Sequence, residues 1–407
     1  MHILLIHQAF SALNEPGGTR HHEMTLHLTR MGHRVTVIAS LVSYLTGDAD
    51  RSRIPWLEKQ DGGEGVTILR AYTYRALHKS FVHRVFSFLS FMLTSLLIGL
   101  SVEDVDLVWG TSPHIFQGVT AWLLARLKGA RFLFEIRDLW PSFAVAVGVL
   151  TNPVLISASR WLEKFLYRRA DQLMVNSPGF IPHIQARGGE NIALVPNGAD
   201  AGMFDPRGDG TSFRKAHNLN SKFIAMYAGA HGMSNDLEVV LESAKLLRER
   251  SDIAVVLLGD GKEKPNLMQR AVELGLDNLH FLPPVPKEEM SVALAAADVC
   301  IAVLKPIEMY KTVYPNKVFD YMAAGRATIL AIDGVIRKVV EKAEAGIFTP
   351  PGDPQSMADA IRHLADHPQK ARQMGQAGRA YLEKHFDRHV LAGKLEKLMQ
   401  SVIERGS

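Results

Sequence analysis

"DPRGDGTSFRKAHNLNSK", residues 205–222, decides how this chain is divided. The stretch is polar and dense in turn formers, so it reads as a linker. On its N-terminal side short apolar runs alternate with helical patterns. "HILLIHQ" at residue 2 reads as a strand, 20–31 as a helix, and "MGHRVTVIAS" as a turn and strand. "GVTILRAY", "VDLVWGTSP", "ARFLFEIRDLWP", "ADQLMVNSP" and "NIALVPNG" continue the series. Beyond the linker the pattern restarts with "FIAMYAGA", "IAVVLLGDG", "NLHFLPPV", "VCIAVL" and "ATILAID" as strands. Helical patterns at 235–249, 264–274, 288–296, 316–324 and 354–365 separate them. Strands alternating with helices imply parallel, doubly wound sheets. The expected layout is therefore an α/β domain over 1–205, a linker over 206–222, a second α/β domain over 223–385, and a closing helix over 386–407 that packs back on the first domain. Two such domains are expected to face each other across a cleft lined by strand ends, where ligands of this sheet type bind.

The composition agrees and narrows the function. The chain has 407 residues, 47% hydrophobic and 22% charged, which is globular and long enough for two or three domains. Its 46 Lys and Arg against 42 Asp and Glu leave only +4, so nothing favours nucleic acid. Cys300 is the single cysteine, which excludes an internal disulfide and a thiolate metal cluster. The opening residues are too short and too lightly charged for a signal peptide.

One segment points to lipid. "VFSFLSFMLTSLLIGLSV", 85–102, carries no charge over 18 residues. Ser80, His83, Ser87, Ser90, Thr94 and Ser101 form one polar stripe at helical spacing. The other faces carry Phe81, Phe86, Phe88, Leu89, Phe91, Met92 and Leu96, with Lys79 and Arg84 at the start. An in-plane interfacial helix is expected, with a buried core helix as the competing reading and a membrane span as the least favoured.

"VYPNKVFDYMAAGRATILA", 313–331, carries the most chemistry. Pro315 sets a helix start and Gly325 ends it. Lys317 then lies in the first turn, where a cation opposes the helix dipole unless an anion occupies the site. Asp320 follows on the same face; a lysine for phosphate and a carboxylate for vicinal hydroxyls suit a sugar nucleotide, and a plain solvated Lys317–Asp320 pair remains open. In "FEIRDLWPS", Arg137 and Asp138 sit where a strand end meets the expected cleft, with Trp140 and Pro141 beside them. "YAGAHG" and "LGDGKEK" are glycine turns after strands and supply Gly229 and Asp260 as further candidates. The "DAD" at 48–50 reads as a solvated loop rather than a metal site, and no metal is expected.

Near the start, "NEPGGTRHHEM" sets Gly17 and Gly18 before Arg20, His21 and His22. With "VNSPGF", "ALVPNGAD", "PNKVFDYMAAG" and "AGIFTPPGDPQSMADAI" in order, almost the whole chain resembles glycosyltransferase family 4, retaining enzymes of the GT-B fold. "IRDLWP" and "PNKVFDYMAAG" are similar to a bacterial subgroup that builds O-antigen, capsule and related surface polysaccharides. The resemblance implies a nucleotide-sugar donor, UDP-linked, carrying in some members of that subgroup an N-acetylated amino or deoxyamino sugar. It implies a polyprenyl-diphosphate-linked acceptor, no cofactor, and work at the cytoplasmic face of the bacterial inner membrane with peripheral membrane contact. Gly17, Gly18, Gly229, Asp260, Asn316, Lys317 and Asp320 are then expected at the donor. Asp138, Lys317 and Arg137 are the expected catalytic groups, and Arg20, His21, Phe88 and Phe91 are expected at the acceptor or membrane. The family often has two glutamates where this chain has Thr312 and Asp320, and an arginine and a lysine where it has Ala230 and Asn235. A non-hydrolysing sugar-nucleotide epimerase and a non-catalytic binding scaffold stand as alternatives.

Overall fold

The computed structural model describes the chain except residues 14, 16, 17, 43–53, 76–80, 406 and 407 and the side chain of Phe81. Gly17, Lys79 and the Asp48–Asp50 stretch therefore lie outside the described residues.

The chain forms two compact units. The first holds Met1–Ala12, Gly18–Pro196 and His389–Ser407. Its strands are β1 (His2–Ile6), β2 (Arg34–Ser40), β3 (Leu57–Asp61), β4 (Val66–Ala71), β5 (Leu107–Thr111), β6 (Arg131–Ile136), β7 (Gln172–Val175) and β8 (Ile192–Leu194). They lie in the order β3-β4-β2-β1-β5-β6-β7-β8, all parallel except β3, which pairs antiparallel with β4. Every residue of β1 is buried, as expected for a strand covered by helices on both faces. Ile3 pairs with Val35 on one side and Leu107 on the other, so the strand order reverses at β1/β5. β3, "LEKQD", escapes the sequence reading because an edge strand tolerates charge and lacks a continuous apolar run. The helix Pro153–Arg169 is also missed; Asn152 caps it by accepting from Val154 N at 2.9 Å.

The second unit holds Asn197–Arg388. Its strands are β9 (Phe223–Ala228), β10 (Ile253–Leu258), β11 (Leu279–Leu282), β12 (Val299–Val303), β13 (Ala327–Ala331) and β14 (Gly346–Phe348). They form a parallel sheet in the order β11-β10-β9-β12-β13-β14, which reverses at β9/β12.

The division falls between Pro196 and Asn197 rather than after residue 205, and 206–222 belongs to the second unit. Phe204 and Leu219 are buried in that unit's core, and Thr211–Ala216 is a short helix. A Cβ on Gly210 would stand 2.3 Å from Ala296 N, so the segment lies flush on the unit. Its polar composition hid a docked strap with few but fully buried anchors. The closing helix, Arg388–Glu404, places Leu391, Leu395, Met399 and Val402 in the core that holds Ile3 and Leu5 of β1.

The apolar helix Phe81–Leu100 sits on the first unit with its polarity reversed. Ser87, Thr94 and Ser95 are buried, and Thr94 Oγ1 donates to Tyr72 O at 2.7 Å. Val82, Phe86, Leu89, Leu93, Leu97 and Leu100 form the exposed stripe. Val82–Leu100 is long and apolar enough to cross a membrane by length and composition, but a third of it is buried against the protein. Phe91 is fully buried, which corrects its expected membrane-facing role: it occupies the same inner face as Thr94 and Ile98.

Candidate functional site

Two clusters form at sheet reversals, one in each unit. In the second unit β9 ends in a turn at Gly229, where φ is +150°. A Cβ there would stand 3.2 Å from Lys317 Nζ, so the glycine keeps the space that the ammonium fills. Pro315 precedes the helix Asn316–Ala323 with φ −67°, and no side chain caps that end. Lys317 folds back from the first turn. Its ammonium donates to Tyr227 OH at 2.6 Å and to Asn235 Oδ1 at 3.0 Å, and lies 4.0 Å from the Tyr227 ring centroid. Tyr227 in turn donates to Ala230 O at 2.7 Å. Both partners of the ammonium are neutral, and burial pulls the lysine down to about 7. Asn316 Oδ1 beside it is buried without a partner. A half-buried cation, an uncapped helix start and an unpaired amide oxygen make a site poised for an anion with hydroxyl donors.

Asp320 does not pair with Lys317. Its Oδ1 accepts from Lys287 Nζ at 2.6 Å, and Lys287 also lies 5.1 Å from the centre of the Phe204 ring. The solvated Lys317–Asp320 pair is thereby replaced by two separate arrangements. Lys287 was missed because no local signal links it to a carboxylate 33 positions away. His231 was missed inside the quoted "YAGAHG". Its ring is fully buried with both nitrogens unpartnered. Burial first, then Lys264 and Lys317, hold it down to about 4. Its backbone N–H donates to Asp260 O at 2.7 Å and its carbonyl accepts from Glu263 N at 2.9 Å, which ties the β9 and β10 turns together. The Asp260 carboxylate itself is exposed and accepts from Gly261 N at 2.8 Å.

In the first unit, the residues after β1, β5 and β6 converge. His7 Nδ1 lies 2.8 Å from Thr111 Oγ1, and its Nε2 lies 3.3 Å from Arg137 Nη1. Burial, then His21 and Arg137, hold His7 well below the usual histidine range, so Nε2 accepts from the guanidinium. Arg137 N donates to Ser112 Oγ at 3.1 Å. Asp138 is raised to about 6 by burial, against the opposing pull of the Leu139 N–H and Arg137.

Arg20 and His21 are not surface contacts, which corrects their expected acceptor or membrane role. Arg20 Nε lies 3.1 Å from Glu135 Oε1, and its other nitrogens donate to Pro196 O and Val195 O at 2.7 and 2.8 Å. His21 Nε2 lies 2.7 Å from Glu135 Oε2, which also accepts from Trp109 Nε1 at 3.1 Å. Burial works against the Glu135 charge, yet His21 and Arg20 outweigh it and hold the carboxyl ionised. Arg20 and His21 therefore tie the start of their helix to Glu135 of β6. Gly18 is exposed with open space around it. Phe88 stacks on His114 with ring centres 3.8 Å apart. Among the described residues no group of three or more His, Cys, Asp or Glu is placed to hold a metal.

Comparison with known proteins places both units. A family model for "Glycosyl transferase 4-like domain" matches residues 17–198, and one for "Glycosyl transferases group 1" matches 222–367. WcaI of Escherichia coli K12, named for glycosyl transfer in colanic acid biosynthesis, is 24% identical over 76% of this chain and 78% of its own. The D-rhamnosyltransferase WbpZ of Pseudomonas aeruginosa is 22% identical over 58% of this chain and 61% of WbpZ, under two thirds of that protein's length. Among solved structures, sucrose-phosphate synthase from Thermosynechococcus elongatus superposes with a TM-score of 0.76 at 18% identity, covering 99% of each chain. WaaG, a glycosyltransferase of lipopolysaccharide biosynthesis, superposes with a TM-score of 0.67 at 14% identity, covering 98% of this chain and 99% of WaaG. Two doubly wound domains, matched in order by two glycosyl-transferase families, make this chain a hexosyl-transferring enzyme of the GT-B glycosyltransferases, with a 4-like domain followed by a group 1 domain.

Proposed function

We propose that the chain moves a sugar, with retention, from a UDP-linked donor to a polyprenyl-diphosphate-linked glycan during bacterial surface-polysaccharide synthesis. The observation that carries this reading is the Lys317 ammonium at an uncapped helix start, held by Tyr227 and Asn235 with no carboxylate among the described residues neutralising it. As the bond from sugar to phosphate breaks, charge builds on the diphosphate. Lys317 and the free N–H groups of the helix start are preorganised to hold it without a metal. Asp320, steadied by Lys287, is the group for the ribose hydroxyls, and Gly229 keeps the room in which the Lys317 ammonium meets the diphosphate. In the first unit Arg137 faces the acceptor and Asp138 orients it through a carboxylate that burial raises to about 6. Retention is attributed to same-face attack, with the leaving phosphate taking the acceptor's proton.

Neighbouring structures favour the choice of nucleotide: HepE from Anabaena was solved with UDP-glucose and superposes with a TM-score of 0.72. WcaI and the O-antigen chain mannosyltransferase C of Escherichia coli favour surface polysaccharide as the product. The outward apolar stripe Val82–Leu100 supports peripheral contact with the cytoplasmic leaflet, where such an acceptor presents its head group.

The test is calorimetry with UDP and GDP, followed by release of nucleotide from a panel of UDP-sugars with and without extracted lipid-linked glycan. Acceptor-dependent release of UDP, lost in Lys317→Ala, is expected. Conversion of the donor without acceptor would turn the assignment toward an epimerase, and binding without turnover toward a scaffold.

A further inference from the structure

The first unit carries a row of rings that neither the β1/β6 cluster nor the core explains. Phe88 stands on the apolar helix, stacked at 17° on His114. Phe116, at the start of the helix Ile115–Lys128, lies 6.4 Å from Phe88 and 6.0 Å from His114 between ring centres. Trp140 lies 6.2 Å beyond Phe116 and is two residues after Asp138. His114 is buried and pinned by Gln8 Oε1 on its Nε2, whereas Phe88, Phe116 and Trp140 are each only partly covered. A continuous half-open aromatic row is uncommon on a protein surface unless something covers it.

The ends of the row identify the occupant. One end, Trp140, follows Arg137 and Asp138 by three and two residues in the chain. The other meets Leu89 and the exposed stripe of Phe86, Leu93 and Leu97 on the same helix. Arg84 lies one turn before Phe88, so cations stand near both ends of an apolar path. An apolar segment flanked by positive charge, leading from a greasy surface to a polar strand-end cluster, matches an anionic amphiphile with its head at Arg137 and its tail toward the bilayer.

We propose that Phe88, His114, Phe116 and Trp140 seat the head-proximal isoprenoid segment of a lipid diphosphate, delivering its reacting end to Asp138. The proposal rests on the lipid-linked acceptor assigned above. It adds that the enzyme grips the lipid itself, beyond the glycan it carries.

Calorimetry on the full chain with farnesyl diphosphate, inorganic pyrophosphate and UDP tests it. Wild type is expected to bind farnesyl diphosphate at least about tenfold more tightly than pyrophosphate, the size expected for covering one or two apolar groups. Phe116→Ala and Phe88→Ala are expected to lose most of that preference with pyrophosphate and UDP affinities unchanged. Phe116→Leu, which keeps apolar volume without the ring, carries the test should either alanine variant melt early. Equal affinity for farnesyl diphosphate and pyrophosphate in wild type, or an undiminished preference in the variants, overturns the proposal. So does a change of oligomeric state in the variants, which would make the row a contact between copies of the chain. UDP binding belongs to the second unit. Its absence from wild type would count against the transferase reading alone, and failure of farnesyl diphosphate beside normal UDP binding counts against the lipid seat alone.

Discussion

Lys317 Nζ donates to Tyr227 OH at 2.6 Å, in the space that Gly229 leaves by lacking a Cβ. The contact joins the first turn of one helix to the end of a strand 90 positions earlier, and among the described residues the ammonium has no negative partner. Replacing Lys317 with Met is expected to weaken UDP binding roughly 10- to 100-fold, the loss of a charge-assisted hydrogen bond to phosphate. The same substitution should raise the melting temperature in the absence of ligand, because a half-buried cation is exchanged for an apolar chain. Gly229→Ala should also weaken UDP binding by crowding the ammonium. Calorimetry and thermal melts of the three proteins check this, and unchanged UDP affinity in Lys317→Met would remove the lysine from the site.

The pH dependence of donor binding follows from the same lysine. Its pKa is lowered to about 7 in the free protein, and a bound diphosphate stabilises the charged form. Binding should therefore take up a proton, and UDP affinity should fall as pH rises above 7. Titrations at pH 8 in buffers of different ionisation enthalpy will show the uptake as a buffer-dependent heat, absent in Lys317→Met.

Asp138 gives the opposite limb. Its carboxyl is raised to about 6, above the unfolded value near 3.8, so the folded state holds the proton more firmly between those values. Stability contributed by Asp138 is present at pH 4 and lost as pH rises through 6. Asp138→Asn should thus raise the melting temperature at pH 7 and leave it nearly unchanged at pH 4. Turnover of wild type should rise through pH 6, and the variant should lose most activity at every pH.

Arg20 and Glu135 form a fully buried ion pair. Arg20→Ala leaves Glu135 buried with its main cation gone, which should cost about 3–5 kcal/mol in urea unfolding. UDP binding by the folded variant should be unaffected. A variant of normal stability would restore Arg20 to the ligand-contacting residues.

Leu93→Asp with Leu97→Asp places two charges on the exposed stripe. Sedimentation with phosphatidylethanolamine–phosphatidylglycerol vesicles should lose most of the bound fraction, while the thermal melt stays as in wild type. Equal sedimentation would separate the helix from membrane contact.

The architecture was legible in the sequence because parallel strands buried on both faces must be continuous apolar runs, and "HILLI", "FIAMYA" and "IAVVLL" announce themselves locally. Lys317 was legible for a similar reason: a cation in the first turn conflicts with its own helix, and a conflict is visible in one segment. Partners were not. Asp320 has lysines at two sequence distances, and only the folded chain chooses Lys287. Arg20 and His21 carry charge and follow a glycine pair, which reads as a ligand loop, yet the sheet carries Glu135 beneath them and buries all three. The apolar helix shows the same limit. Periodicity located its polar stripe, but which face meets the protein depends on the hydrogen-bond acceptors offered by the neighbouring chain, such as Tyr72 O. Sequence by itself determined the buried parallel strands and the cation at the helix start, because those follow from neighbours in the chain. Tertiary structure alone decided pairing and facing, because these depend on which distant groups the fold brings within about 3 Å.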